Sequence, residues 1–260
     1  MRKLLAAIGF LISLNVHAVT FATDASDLWY TPGETGWGLN VIHQGNILFA
    51  SLFVYGQNTQ PSWFFGSELT FAGSTGGVFR YSGTWYQTTG PYFGGAFNSS
   101  AVGLRQVGTA SLAFDTVSTG TLTYSVDGVS VTKRIARLTW VVNNITGSYL
   151  GGTTGTYSSC ASPVNNGYAE DAGVVAVTHT GNNISIVFAL TGATCTFSGT
   201  YSQDGRMGSV AGTYSCTNGI IGNFNAFEVE ANVTGLTARV VAQSNVCRWT
   251  GRVGGLRRGS

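Results

Sequence analysis

In the first quarter of the chain, Glu34, His43 and Glu68 carry side chains able to move a proton. Glu34 follows Pro32-Gly33, a pair suited to the second and third positions of a type II turn. Lying between Trp29 and Trp37, it is a candidate general acid or ligand-binding carboxylate; the plainer reading makes it an acceptor for backbone N–H groups of the turn. Glycoside hydrolysis usually takes two carboxylates at a controlled separation, and no second acid lies near Glu34 in this hairpin. His43 and Glu68 fall on one face at one end of the strand register derived below, on either side of Leu48. They suit a proton relay, half a metal site, or a plain rim pair at a barrel mouth. His179, beside the Gly181-Asn182 turn, reads as a surface residue. With His17 in a segment expected to be removed, two histidines remain, which excludes a multi-histidine metal site. No metal and no cofactor is expected. There is no G-x-S-x-G elbow, P-loop or dinucleotide fingerprint, and the glycines sit in strands and turns.

The elements that must position these residues are strands. Gly is abundant at 37 residues and Pro scarce at 4, and Thr, Val, Tyr and Phe recur in short alternating runs. Gly45-Asn46 reads as a two-residue hairpin turn that sets Gln44 opposite Ile47. One face then carries the pairs His43/Leu48, Val41/Ala50, Leu39/Leu52 and Trp37/Val54. The other carries Ile42/Phe49, Asn40/Ser51, Gly38/Phe53 and Gly36/Tyr55. Tyr55 and Phe53 are placed to lie across Gly36 and Gly38, a known cover for exposed strand backbone. Closing the next loop sets Tyr55 opposite Pro61, Leu52 opposite Phe64, Phe53 opposite Trp63 and Ser51 opposite Phe65. Both faces are therefore apolar, and a barrel has only one interior. The second face needs another cover: the neighbouring domain, a partner, a lipid surface or a ligand. Phe49, Phe53, Tyr55, Trp63 and Phe65 form the best binding candidate, since aromatic rings with a polar edge suit sugars or amphiphiles; interdomain packing is the rival.

The sequence Trp29-Tyr30-x-Pro32-x-Glu34-Thr35-Gly36-Trp37-Gly38, with Gln44-Gly45, Phe49-Ala50, Phe53, Tyr55 and Pro61-x-Trp63, resembles a repeat in uncharacterised exported proteins of Gram-negative bacteria. The resemblance covers residues 27 to 70 and implies export, with no assigned activity.

Residues 1–18 have a basic start at Arg2 and Lys3, an apolar run from Leu4 to Leu14, and a small-residue pattern ending at Ala18. These are the marks of a secretory signal peptide cut after Ala18, and the run is short of the roughly 20 apolar residues of a spanning helix. Its removal takes two of the 13 basic residues and leaves a balance with the 11 acidic ones. A nucleic-acid partner is not implied. Charged residues make up 9% of the chain, against roughly 25% in ordinary soluble domains. The surface must be built from Ser, Thr, Asn, Gln and Gly, and Lys133 is the one lysine beyond the signal segment.

All four cysteines lie in the second half, as an even set that suggests two disulfides in an exported chain. If Asp204-Gly205 is a two-residue turn, Gln203 faces Arg206 and Cys195 faces Tyr214, with Cys216 one diagonal step away. This favours Cys195 with Cys216 and leaves Cys160 with Cys247. Arg252, Arg257 and Arg258 read as a solvated tail.

Expected strands run from Gly36 to Trp140 and from Gly155 to Val253, in two sets of seven or eight, with a polar interruption at Asn143 to Gly147. The expected architecture is all-β: two antiparallel up-and-down β-barrel-like domains at 19–143 and 144–260, with β-sandwiches as the alternative. The leading functional expectation is a non-enzymatic binding or envelope-associated module, periplasmic or extracellular, with a glycan or amphiphilic small ligand. A hydrolase using Glu34 or the His43/Glu68 pair is one alternative, and an outer-membrane barrel the other.

Overall fold

The computed structural model describes residues 23–259, so the signal segment and its cut after Ala18 lie outside the described residues. Two closed barrels of eight antiparallel strands follow one another along the chain. The first is built from β1 (Asp27–Thr31), β2 (Glu34–Gln44), β3 (Ile47–Tyr55), β4 (Pro61–Thr75), β5 (Val78–Thr89), β6 (Gly103–Phe114), β7 (Thr119–Val126) and β8 (Val129–Arg137). The second is built from β9 (Gly147–Ser158), β10 (Gly167–Thr180), β11 (Asn183–Leu190), β12 (Ala193–Asp204), β13 (Met207–Cys216), β14 (Ile221–Ala231), β15 (Gly235–Ser244) and β16 (Arg248–Arg257). Each strand pairs with the next, and the β1/β8 and β9/β16 pairings close the rings. The first ring closes over Trp29/Arg137 and Tyr30/Ala136 and the second along the whole of β16, which limits free strand edge in a chain with few charges to guard it.

Alternation and turns account for most of this. The hairpin β2/β3 has Gln44 opposite Ile47 and Gly38 opposite Phe53, and β3/β4 has Leu52 opposite Phe64 and Phe53 opposite Trp63. Leu39, Val41, Leu48, Ala50 and Leu52 face the interior and are buried. Further along β4 the register slips, so that Leu48 meets Leu69 while Ala50 meets Gly66. The β12/β13 turn also differs from expectation. Asp204 pairs with Met207, which sets Cys195 directly opposite Cys216 rather than on a diagonal. β1 was not expected as a strand, and β9 and β10 start well before residues 155 and 173. β1 is held from both sides by β2 and β8, and the early parts of β9 and β10 are Gly-, Thr- and acid-rich; closure of the ring holds them where local alternation is weak.

The barrels repeat one construction at their inner ends. In the first, Asp24-Ala25-Ser26 crosses the base: Trp29 Nε1 donates to Ala25 O, Ala25 N donates to His43 Nδ1 and His43 N donates to Ser26 Oγ. In the second, Asn144-Ile145-Thr146 does the same: Tyr149 Oη donates to Ile145 O, Ile145 N to His179 Nδ1 and His179 N to Thr146 Oγ1. Arg137 covers the ring of Trp29 and Arg257 that of Tyr149. His179 is therefore buried at the barrel base, not on the surface. Arg257 belongs to β16 and donates to Tyr149 Oη at 2.9 Å, not to a solvated tail. His179 is covered by residues 144–146 of the plug, and Arg257 is held by Tyr149 on β9; in both cases the partner comes from a distant part of the chain.

The plugged ends meet. The tip of the β12/β13 hairpin enters the base of the first barrel, where Gly205 N donates to Thr139 Oγ1 and Arg206 N to Asp27 Oδ2, at 2.7 and 2.9 Å. Asp27 also pairs with Arg137 at 2.9 Å, and Arg206 with Asp24 at 2.8 Å. Gly205 has φ +58°, and a Cβ there would stand 2.2 Å from Asp27 Oδ2, so both conformation and contact require glycine. The free mouth of each barrel thus points away from the other.

Candidate functional site

Glu34 sits at the mouth of the first barrel. Its carboxylate accepts from Lys133 Nζ and, at 2.9 Å, from Trp37 Nε1, while the Lys133 ammonium lies 5.0 Å over the Trp37 ring. The hydrogen bond from Lys133 foremost, then that from Trp37, holds its pKa below the usual carboxylate range. Its hydrogen-bond partners are side chains rather than turn N–H groups. His43 is occupied at the base by Ala25 N and by Gly45 O at 2.8 Å, with the Tyr81 hydroxyl 3.2 Å away. Glu68 does not join it. The slip in β4 that puts Leu69 inside turns Glu68 outward and exposes it. The expected pair is therefore absent, because a bulge in β4 shifts the register between Gly66 and Leu69.

The aromatic set is on the outer face of the first barrel. Phe65 stacks with Phe49 at 6.3 Å and with Trp63 at 5.9 Å, and Tyr86 extends the row 5.8 Å from Phe65. Phe53 is 54% exposed, Tyr55 59% and Trp63 46%, so the second barrel does not cover this face. Tyr55 does lie across Gly36, with its hydroxyl 3.6 Å from the place of a Cβ; nothing from Phe53 lies near Gly38.

A second site arises from the volumes inside the two barrels. Leu122, Tyr124, Val131 and Ile135 of β7 and β8 have as counterparts in the second barrel, by equal pairing and equal distance from the closing arginines, Ala238, Val240, Gly251 and Gly255. Trp37, which packs on the first core, has Gly173 as its counterpart by its place in β2 and β10. On β11 the exchange runs the other way, with Ile186 and Phe188 in place of Ala50 and Leu52. The first barrel is filled, with Trp29 and Trp85 fully buried. The second contains a cavity of about 570 Å³.

Ile145 and Val177 form the floor of this lumen, Ala226, Ala238 and Val240 its middle, and Phe188, Phe197, Tyr214, Phe224 and Trp249 an aromatic belt. Tyr157, Asp171, Thr191 and Asn218 stand at the mouth. Both disulfides rim it: Cys195–Cys216 ties β12 to β13, and Cys160–Cys247 ties the β9/β10 loop to the β15/β16 turn. Burial, then the nearby Asp171 charge, pushes the Tyr157 phenol up; burial also raises that of Tyr214, opposed by Ser244 and reinforced by Tyr157. Both phenols remain protonated at neutral pH, Tyr157 at the mouth and Tyr214 in the belt. Sequence reasoning missed this site. Its trace is the pair of small residues on one face of β15, Ala238 and Ala242.

Among the described residues no group of three or more His, Cys, Asp or Glu is placed to hold a metal ion. Comparison of the chain with protein-family models, with curated proteins and with solved structures finds no match.

Proposed function

We propose that this chain is an exported, non-enzymatic binding protein whose second barrel holds one small molecule with an apolar body. The observation that carries the reading is the hollow interior beside a filled one of the same strand number. Eight-stranded barrels are at the size where the interior either fills with side chains or takes one small ligand. The cavity volume of about 570 Å³ falls within the roughly 300–1,000 Å³ range of ligand sites. Transfer of apolar surface from water supplies the affinity, at about 0.8 kcal/mol per methylene. Two disulfides fit an oxidising compartment outside the cytoplasm, and the signal-like N-terminus supports the periplasm or the cell exterior.

The hydrolase alternative loses its supports, since Glu34 is held as an anion by Lys133 and Trp37 and His43 is spent on the plug. An outer-membrane barrel carries an apolar band outside and a polar lumen. Here both interiors are apolar.

The test is a titration of the purified protein with N-phenyl-1-naphthylamine, followed by displacement with 1-alkanols of increasing length. Probe fluorescence rises, and alkanol affinity grows about three- to four-fold per methylene until the lumen is full. Ala238→Trp abolishes binding and Trp63→Ala leaves it intact. Absence of any probe signal sinks the reading. The reverse pattern of variants would move binding to the outer aromatic row, where the stacked Phe49, Phe65 and Trp63 favour the second reading, a glycan-binding or envelope-associated face.

A further inference from the structure

Resting on the reading of the second barrel as a ligand-holding lumen, we propose that its ligand is a cationic amphiphile, with an ammonium group at the mouth between Asp171 and the aromatic belt. Asp171 lies on the inward face of β10, in line with Ala169, Gly173 and Val175; Glu170 alternates with it and also borders the mouth, where its carboxylate accepts from Tyr168 Oη at 2.9 Å. Its Oδ1 accepts from Ala172 N at 2.8 Å, Thr191 N at 3.3 Å and Thr191 Oγ1 at 2.9 Å. Its Oδ2 has no protein donor, and the residue takes part in no ion pair among the described residues. Arg252, which borders an open surface recess together with Asp171, alternates to the outside of β16 and is turned toward Glu228 at 3.5 Å. A carboxylate held at the edge of an apolar lumen without a cation favours a positive head, weakly accepts a neutral one and repels an anion.

The rings point the same way. Trp249 pairs with Tyr157 across β16/β9, and Tyr214 lies 4.9 Å from Phe197 across β12/β13. An ammonium over such faces is attracted by their quadrupoles and needs no hydrogen-bond acceptor of its own.

The first barrel shows the arrangement already occupied. There the ammonium of Lys133, on the inward face of β8, lies over the Trp37 ring and against the Glu34 carboxylate. The counterpart of Lys133 in the second barrel is Val253, by its place four residues before the closing arginine and its partner Ala238 in place of Leu122. The second mouth has a carboxylate and a tryptophan at other positions, Asp171 and Trp249, and has Val253 where the first has the lysine. The ligand's ammonium takes that place.

The experiment uses the full chain with bound N-phenyl-1-naphthylamine and three competitors of equal tail: decyltrimethylammonium, 1-decanol and decanoate, at neutral pH, low salt and below micelle formation. The cation displaces the probe at about ten-fold lower concentration than decanol, and decanoate is the weakest. Asp171→Asn brings the cation and decanol to within about two-fold of each other while decanol affinity holds. Trp249→Leu, which leaves the carboxylate in place, lowers the preference by about three-fold and serves as the second variant if Asp171→Asn no longer binds probe. Decanol competing as well as the cation overturns the proposal and leaves the lumen reading standing. Failure of every competitor and of the probe overturns both.

Discussion

The two barrels have the same strand number, the same plug and the same closing arginine, yet one is solid and the other hollow. The plug bonds of Ala25 with His43 and Ile145 with His179 hold both bases in one geometry, so the difference lies in the side chains above the plug. The filled barrel spends Trp29, Tyr81, Trp85 and Leu122 on its own core. The hollow one has Ala238 and Val240 lining its lumen where its twin has Leu122 and Tyr124. A barrel that gives up packing loses dispersion contacts along its lining. The disulfides occur only in the hollow barrel and both stand at its open end, where packing is thinnest. Covalent links there replace cohesion that the first barrel obtains from its interior.

That comparison can be broken most forcefully at the disulfides. Replacing Cys160 and Cys247 with serine opens a cross-link spanning 87 residues, and the chain-entropy relation puts the loss at about 4–5 kcal/mol for the second barrel. Calorimetry under reduction is expected to show the second barrel melting early while the cysteine-free first barrel keeps its transition; a joint shift of equal size would show that the barrels fold as one. Next in size, Trp85→Ala costs about 3–5 kcal/mol because it opens a void in a filled core. Val240→Ala in the hollow barrel costs about 1 kcal/mol or less, since it only widens existing space. Denaturant midpoints for the two variants measure the contrast directly. In the opposite direction, Ala238→Leu restores the residue found at the twin position and is expected to stabilise by about 1 kcal/mol, while reducing uptake of the naphthylamine probe.

The smallest effect concerns the junction. Burial pushes the Asp24 carboxyl up, but hydrogen bonds from Ser26 and the charge of Arg206 outweigh it, so its pKa lies below the ordinary value. A carboxyl depressed on folding contributes stability that is present above the unfolded pKa and lost as pH falls through the folded one. Asp24→Asn should therefore flatten the fall of stability below about pH 4. An unchanged acid limb would show that Asp24 does not couple the barrels.

Much of the fold could be read from local pattern. The β2/β3 hairpin was legible to the residue because Gly45-Asn46 pins the turn and a period of two then assigns every side chain to a face. The cysteine partners were also legible, although the route to them used a turn one residue out of place; Gly205 and Arg206 form the tip, and the pair is direct. The His43/Glu68 pair failed because a bulge in β4 has no marker in alternation. His179 was misplaced because its burial depends on Ile145, which reaches it from 34 residues away. The lumen was invisible for a different reason: a cavity is a sum over eight strands, and no single strand differs enough from its twin to announce it.

By itself, the sequence determined the class of the molecule, because alternation, glycine turns and an even cysteine set are local properties of the chain. It determined that a row of aromatics would stand on a second strand face. Whether that face was covered, which end of each barrel was open, and which interior stayed empty were decided only by tertiary structure. Exposure, closure and leftover volume depend on where distant segments meet, and those meetings are set by packing of the whole ring rather than by any neighbour along the chain.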